Sequence, residues 1–267
     1  MIILVTPYGQ TSNKLFQFIH LDSFCREHNI PFSNVFMQEF KEVYPQIPII
    51  KPSFPQILWL KLFSSSRLLR KIFCLNLIDE QKLLFYQKVF IESKHTFCYG
   101  FFFRSKETTL KYRKVYQEMF NPNFDKIPLT QNWLQRDFPQ QKLVAIHIRR
   151  GDYIGFEGGR YFYSDQVFLT KMQEMQDVLN QKPKFILFTN DANLDLSLYL
   201  NSFPNQVILS NNKVAVDHYL LSKCDYIIGP PSTFTLWASY IGEVNLFQIN
   251  DHNEKIVLSK FFINDGF

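Results

Sequence analysis

Beyond Pro139 the chain alternates short apolar runs with amphipathic stretches of roughly ten residues, and few architectures accept that rhythm. Strands are expected at 143–148, 185–189, 206–209, 226–229 and 245–249. Helices are expected between them at 165–180, 193–201, 214–223 and 233–240. Parallel neighbours need a crossover long enough to hold a helix, so the repeat predicts an α/β domain with a doubly wound parallel sheet.

The first half is less regular. Ile2 to Thr6 reads as a buried strand that breaks at Pro7-Tyr8-Gly9 and leads to a helix over 13–28. Prolines 31, 45, 48, 52 and 55 predict an irregular segment, and 57–88 suits two or three helices. Residues 95–103 read as another strand, followed by helix up to Pro122 and a further helix near Trp133. A domain boundary is expected near residue 140, giving an N-terminal domain over 1–139 and a second over 140–267.

Composition narrows the function classes. Twenty-nine phenylalanines against nine glycines indicate broad aromatic packing. A net charge of +5 suits an anionic ligand or an anionic membrane surface. No block of five like charges occurs, which argues against nucleic acid as the partner. Cys25, Cys74, Cys98 and Cys224 are far apart and read as reduced, mostly buried thiols. Ile2-Ile3-Leu4-Val5 is too short for a signal peptide, and no apolar run reaches the ~18 residues that span a bilayer. The expected location is cytoplasmic. Residues 57–78 mix large apolar side chains with Lys61, Arg67, Arg70 and Lys71, so peripheral contact at the inner membrane face competes there with a reading as core helices.

The chemistry concentrates where strands are expected to end. Val144, Ile146 and Ile148 alternate with Ala145 and His147, and Arg149-Arg150-Gly151-Asp152 follows directly. Ligands of open α/β sheets bind at that edge, and arginine forks suit a diphosphate. The competing reading is an ordinary turn in which Asp152 pairs one guanidinium. Ser232-Thr233-Phe234 opens a helix whose first N–H groups can hold phosphate oxygens, or is simply a capped helix start. Asp191, in Phe188-Thr189-Asn190-Asp191, either contacts a nucleotide or caps the next helix. The chain has no D-x-D triplet, H-E-x-x-H, P-loop or G-x-G-x-x-G, which leaves two arginines and a helix start to stabilise a leaving phosphate. Asp152 and Glu157 follow the arginines, but neither identifies itself as a base.

Together these motifs resemble a known family. His147 to Tyr153 is similar to the H-x-R-R-x-D motif of fucosyltransferases, with the Gly-Asp-Tyr ending typical of the α-1,2-fucosyltransferase family (glycosyltransferase family 11). Gly9 to Gln17 resembles that family's G-x-x-x-N-x-x-F-Q loop, and residues 188–191 its F-S-N/D-D motif. Asp217 through Leu220-Leu221-Ser222 and Cys224 to Ser232-Thr233-Phe234 and Trp237-Ala238 resembles its C-terminal segment. The resemblance implies a GT-B-like fold of two Rossmann-like halves, a GDP-fucose donor, an inverting reaction and no metal. Carried over by position, His147 and Asp191 contact guanine or ribose, while Arg149, Ser232, Thr233 and Phe234 hold the ribose-diphosphate. Arg150 shares the electrostatic role of Arg149, and Asp152 joins the arginines as a catalytic candidate. Gly9 and Asn13 line the donor cleft from the first domain. The implied partners are a GDP-sugar and a glycan acceptor, lipid-linked in one version, entering between the two domains. Transfer of a different sugar is the rival within this class. A non-catalytic nucleotide- or glycan-binding module and a basic nucleic-acid binder are the rivals from outside it.

Overall fold

A computed structural model describes residues 1–126 and 141–267. The helix expected near Trp133 and the boundary expected near 140 lie outside the described residues. Two compact units emerge, one of Met1–Asn123 with Asp265–Phe267 and one of Phe124–Asn264.

The N-terminal unit is built on β1 (Ile2–Leu4), β2 (Phe32–Ser33), β3 (Leu75–Leu77) and β4 (Thr96–Gly100), all parallel in the order β2-β1-β4-β3. Ile2, Ile3 and Leu4 are wholly buried, as a central strand covered on both faces must be. Helix α1 (Thr11–Glu27) follows, with Leu15, Phe16, Phe18, Ile19, Leu21 and Phe24 all buried. It is enclosed around most of its circumference, so its sequence shows little amphipathic contrast. Helices α2 (Phe54–Ser65), α3 (Arg67–Phe73) and α4 (Leu83–Glu92) come next, with α5 (Lys106–Lys111) and α6 (Arg113–Met119) after β4. Pro55 sits in the first turn of α2, where its missing N–H is harmless, and the Ser53 N–H donates to Gln56 Oε1 at 2.8 Å.

The C-terminal unit carries β5 (Leu143–Ile148), β6 (Lys184–Thr189), β7 (Val207–Leu209), β8 (Tyr226–Gly229) and β9 (Asn245–Gln248). All pairings are parallel, in the order β7-β6-β5-β8-β9. The connecting helices are α7 (Asp165–Leu179), α8 (Leu196–Ser202), α9 (Val214–Leu221) and α10 (Thr233–Gly242). Val144, Ile146, Ile148, Phe185, Leu187 and Ile228 pack with Phe168, Met172 and Met175 of α7 in one core. The expected doubly wound sheet is therefore present, with its elements within a few residues of their expected bounds.

Three expectations need correction. The segment around prolines 31 to 55, expected to be irregular, contains the short strand β2, which pairs with β1. Residues 57–88 contain a strand, β3, that the helical pattern hid, because three residues are too few to show alternation. The helix expected at 193 begins at Leu196. Asp195 is its cap, accepting from Ser197 N at 3.0 Å, so the capping alternative for Asp191 is excluded.

Candidate active site

The strand order of the C-terminal unit reverses between β5 and β8, since β6 and β7 lie beyond one and β9 beyond the other. At such a switch point the two departing loops diverge and leave a crevice at the carboxyl ends of the strands. Arg149 follows β5 and Ser232 follows β8. Their side chains meet there, Arg149 Nη1 donating to Ser232 Oγ at 3.0 Å.

Arg149 is tightly oriented. Its Nε and Nη2 donate to the two oxygens of Asp152 at 3.0 and 2.6 Å, and its guanidinium lies 4.9 Å from the centre of the Tyr153 ring. Tyr153 is held by donating its hydroxyl to the Pro231 carbonyl. The hydrogen bonds from Arg149 hold the Asp152 carboxyl below its ordinary range. A carboxylate so engaged is a poor proton acceptor, and the two-point contact fixes the orientation of the arginine.

Arg150 points elsewhere. Nη2 pairs with Asp165 at 2.6 Å, Nη1 with Asp191 at 3.1 Å, and Nε donates to the Tyr163 carbonyl at 3.0 Å. Tyr199 donates to the same Asp165 oxygen at 2.6 Å. Burial works against the charge of Asp165, but the bonds from Arg150 and Tyr199 outweigh it and lower its pKa. Asn190 completes the lattice, its Oδ1 accepting from the backbone N–H of Arg150 at 2.9 Å while its amide approaches Asp152 at 3.3 Å. The loops after β5 and β6 are thereby locked to each other.

The third component is α10. Ser232 caps it, accepting from Phe234 N at 3.2 Å, and Thr233 is its first residue. Phe234 packs between two histidines, with ring centres 5.1 Å from His147 and 4.3 Å from His218. Burial pushes His147 down to about 3, with Arg149 adding to the effect, and burial alone does the same to His218. Both imidazoles are neutral near pH 7. Gly229 allows β8 to approach β5 closely, since a Cβ there would lie 2.9 Å from His147 Cβ.

Thus His147, Arg149, Arg150, Asp152, Asp191, Ser232, Thr233 and Phe234 converge on one edge of one sheet. Gly9 and Asn13 belong to the N-terminal unit, Gly9 in the turn from β1 into α1 and Asn13 in the first turn of that helix. Gly9 has φ +65°, and a Cβ on it would meet Asn13 Nδ2 at 2.4 Å. Asn13 Oδ1 is buried without a hydrogen-bond partner. Gln17 clamps this turn, accepting from Tyr8 N at 3.0 Å and donating to the Gly100 carbonyl at 2.6 Å. Sequence reasoning assigned no role to Gln17, Asn190, Tyr153 or Asp165. The first three stood inside motifs it had already marked, whereas Asp165, at the start of α7, carried no signal.

The model of Glycosyl transferase family 11 matches residues 77–257, more than half of the chain. The chain belongs to this family. It is 23% identical over 210 residues to the O-antigen biosynthesis glycosyltransferase WbnK of Escherichia coli, covering 75% of this chain and 66% of that protein. It is 27% identical over 103 residues to the rat galactoside alpha-(1,2)-fucosyltransferase 1, covering 37% of this chain and 27% of the relative. The alignments therefore span less than two thirds of either relative's length. Among solved structures, a mutant of Arabidopsis thaliana FUT1 in complex with GDP superposes with a TM-score of 0.64 at 10% identity. The match covers 97% of this chain and 72% of that one. NodZ alpha-1,6-fucosyltransferase soaked with GDP-fucose gives 0.52 at 16% identity, covering 92% and 94%. The fold of this family member is accordingly GT-B-like, as the motifs led one to expect.

Proposed function

We propose that this glycosyltransferase moves fucose from GDP-fucose to a glycan hydroxyl with inversion, forming an α-1,2 linkage to a terminal sugar. The observation that carries the reading is Arg149. A guanidinium forked onto Asp152 and bonded to the capping hydroxyl of α10 stands at the switch point of a parallel sheet. The family and the relatives' names supply the sugar and the linkage.

In this reaction the acceptor oxygen bonds to the anomeric carbon as the bond from that carbon to the β-phosphate oxygen breaks. GDP leaves with the bonding electron pair, and the acceptor loses its proton to solvent or a base. Arg149 and the first N–H groups of α10 meet the charge that builds on the β-phosphate. Ser232, Thr233 and Phe234 seat the ribose-diphosphate. Neutral His147 and Asp191 face the nucleoside, and Arg150 holds Asp191 in place. With arginine and helix dipole supplying the positive potential, the reaction proceeds without a metal ion. Four buried, free cysteines support a cytoplasmic, reducing location.

The test is incubation with GDP-fucose and a galactoside-terminated glycan, reading GDP release and the linkage of the product. Turnover with fucose attached at O2 is expected, together with a rise in melting temperature with GDP exceeding that with UDP or CMP. Preferred turnover of another nucleotide sugar overturns the donor assignment. Nucleotide binding without transfer to any member of an acceptor panel reduces the protein to a binding module.

A further inference from the structure

The stretch from Phe54 to Ile78 carries Lys61, Arg67, Arg70 and Lys71 and not one carboxylate. Helices α2 and α3 occupy most of it, up to β3, and rest on the sheet through a small core of Val5, Phe63 and Cys74, with Leu60 and Leu69 against it. That contact uses only one side of each helix. On the other side Phe54, Leu58 and Leu62 recur every four residues of α2, with Trp59 beside them, and Leu68 and Ile72 do the same on α3. These six side chains are 41–74% exposed. Singly exposed leucines are ordinary, but six large apolar groups on two successive helices form a patch. Among the described residues none of the four cations has a carboxylate partner. Arg67, Arg70 and Lys71 also border a cavity of about 270 Å³, lined further by Tyr8, Asn76 and Tyr99.

We infer that the α2–α3 face of the N-terminal unit is a docking surface for an anionic lipid bilayer. Leucine, isoleucine and tryptophan side chains standing out of a helix pair reach the acyl boundary, while lysine and arginine between them meet phosphate headgroups. The basic cavity beside α3 offers room for one such headgroup. A second copy of the chain is a poorer occupant, because a two-fold contact would bring four cations that no carboxylate neutralises against the same four. The inference is independent of which sugar the enzyme transfers.

Co-sedimentation with vesicles tests it. The full chain is expected to pellet with phosphatidylglycerol-containing vesicles at low salt, far less at high salt, and not with neutral phosphatidylcholine. Joint Leu58→Ser, Leu68→Ser and Ile72→Ser changes keep the charge and should weaken partitioning by at least about tenfold. Joint Lys61→Gln, Arg67→Gln and Lys71→Gln changes should do the same. All six positions lie at the surface, and melting curves verify that the variants fold. A reading on the intact surface comes from tryptophan emission, which should shift to the blue with anionic vesicles and lose most of that shift in Trp59→Phe. No pelleting with anionic vesicles at low salt overturns the inference, as does pelleting that the serine changes leave intact. Self-association abolished by the serine changes, without vesicle binding, transfers the face to a second copy.

Discussion

Two adjacent arginines in one motif take different work because their neighbours differ. Arg149 leaves β5 toward the end of β8, where a single carboxylate forks it and one nitrogen reaches the cap of α10. Arg150 leaves in the other direction and spends all three nitrogens on Asp165, Asp191 and a carbonyl. Substitution should separate the two. Arg149→Lys keeps the charge but loses the planar fork, so kcat/KM should fall by roughly 10²–10³. Melting should change little, because lysine keeps a positive charge beside Asp152, whose side chain is more than half exposed. Arg150→Met strands two partly buried carboxylates and should lower unfolding stability by about 2 kcal/mol, measurable by denaturant titration. Near wild-type turnover in the Arg149 variant, or unchanged stability in the Arg150 variant, would reverse these roles. The same electrostatics predicts that activity survives excess EDTA. A rate abolished by chelation and restored by Mg²⁺ or Mn²⁺ would show that arginine does not suffice for the leaving group.

At the scale of elements, the site depends on how closely β5 and β8 approach. Gly229 faces His147 so tightly that an added methyl would fall 2.9 Å from both Cβ and the carbonyl oxygen. The neighbour is central β-strand backbone and cannot move aside cheaply. Gly229→Ala should therefore cost about 1–3 kcal/mol of stability. It should also weaken GDP binding, because the displaced His147 carries Phe234 with it. An alanine variant with wild-type stability and nucleotide affinity would show that the strands have slack. Legibility varied by element for physical reasons. The strands of the C-terminal sheet were visible because buried parallel strands are short, nearly all-apolar runs between turn signals. β2 and β3 were not, since two- and three-residue strands exist only through their pairing with β1 and β4. The start of α8 was misplaced because Asp191 and Asp195 both accept a backbone N–H two residues on, from Asn193 at 2.9 Å and Ser197 at 3.0 Å, and only the second of these turns continues into the helix.

Across the whole molecule, burial of neutral histidines ties stability to pH. His20 in the N-terminal unit and His147 and His218 in the C-terminal unit all titrate near 3 when folded, against about 6.5 when unfolded. Burial is the main cause in each, reinforced by Arg104 for His20 and by Arg149 for His147. A depressed folded pKa gives stability that is complete above pH 6.5 and drains away as the pH falls toward 3. At pH 5 each histidine forfeits up to about 2 kcal/mol. Asp217 acts oppositely. Burial raises it to about 6, so acidification returns stability there, about 1 kcal/mol by pH 5. The histidines win. Near-UV circular dichroism should report loss of tertiary structure close to pH 5, within the range of typical domain stabilities. Denaturant midpoints unchanged between pH 7.5 and 5 would refute this account.

Sequence alone determined the doubly wound C-terminal sheet and the edge on which its chemistry sits. Apolar periodicity and turn residues are local properties, and His147 to Asp152 and Ser232 to Phe234 directly follow or open elements that this periodicity defines. Gly9 was marked only by its resemblance to a family loop, and its positive φ became visible in the folded backbone. Tertiary structure alone decided what each marked side chain touches. Arg149 and Arg150 are indistinguishable as letters, and Asp165 and Tyr199 become parts of the site only through distances spanning 15 and 34 positions in the chain. Exposure of α2 and α3 was likewise not fixed by their composition, which favoured core helices over membrane contact without excluding either. Which face a helix turns to solvent is set by what packs beneath it, and that contact is made by residues far away in the chain.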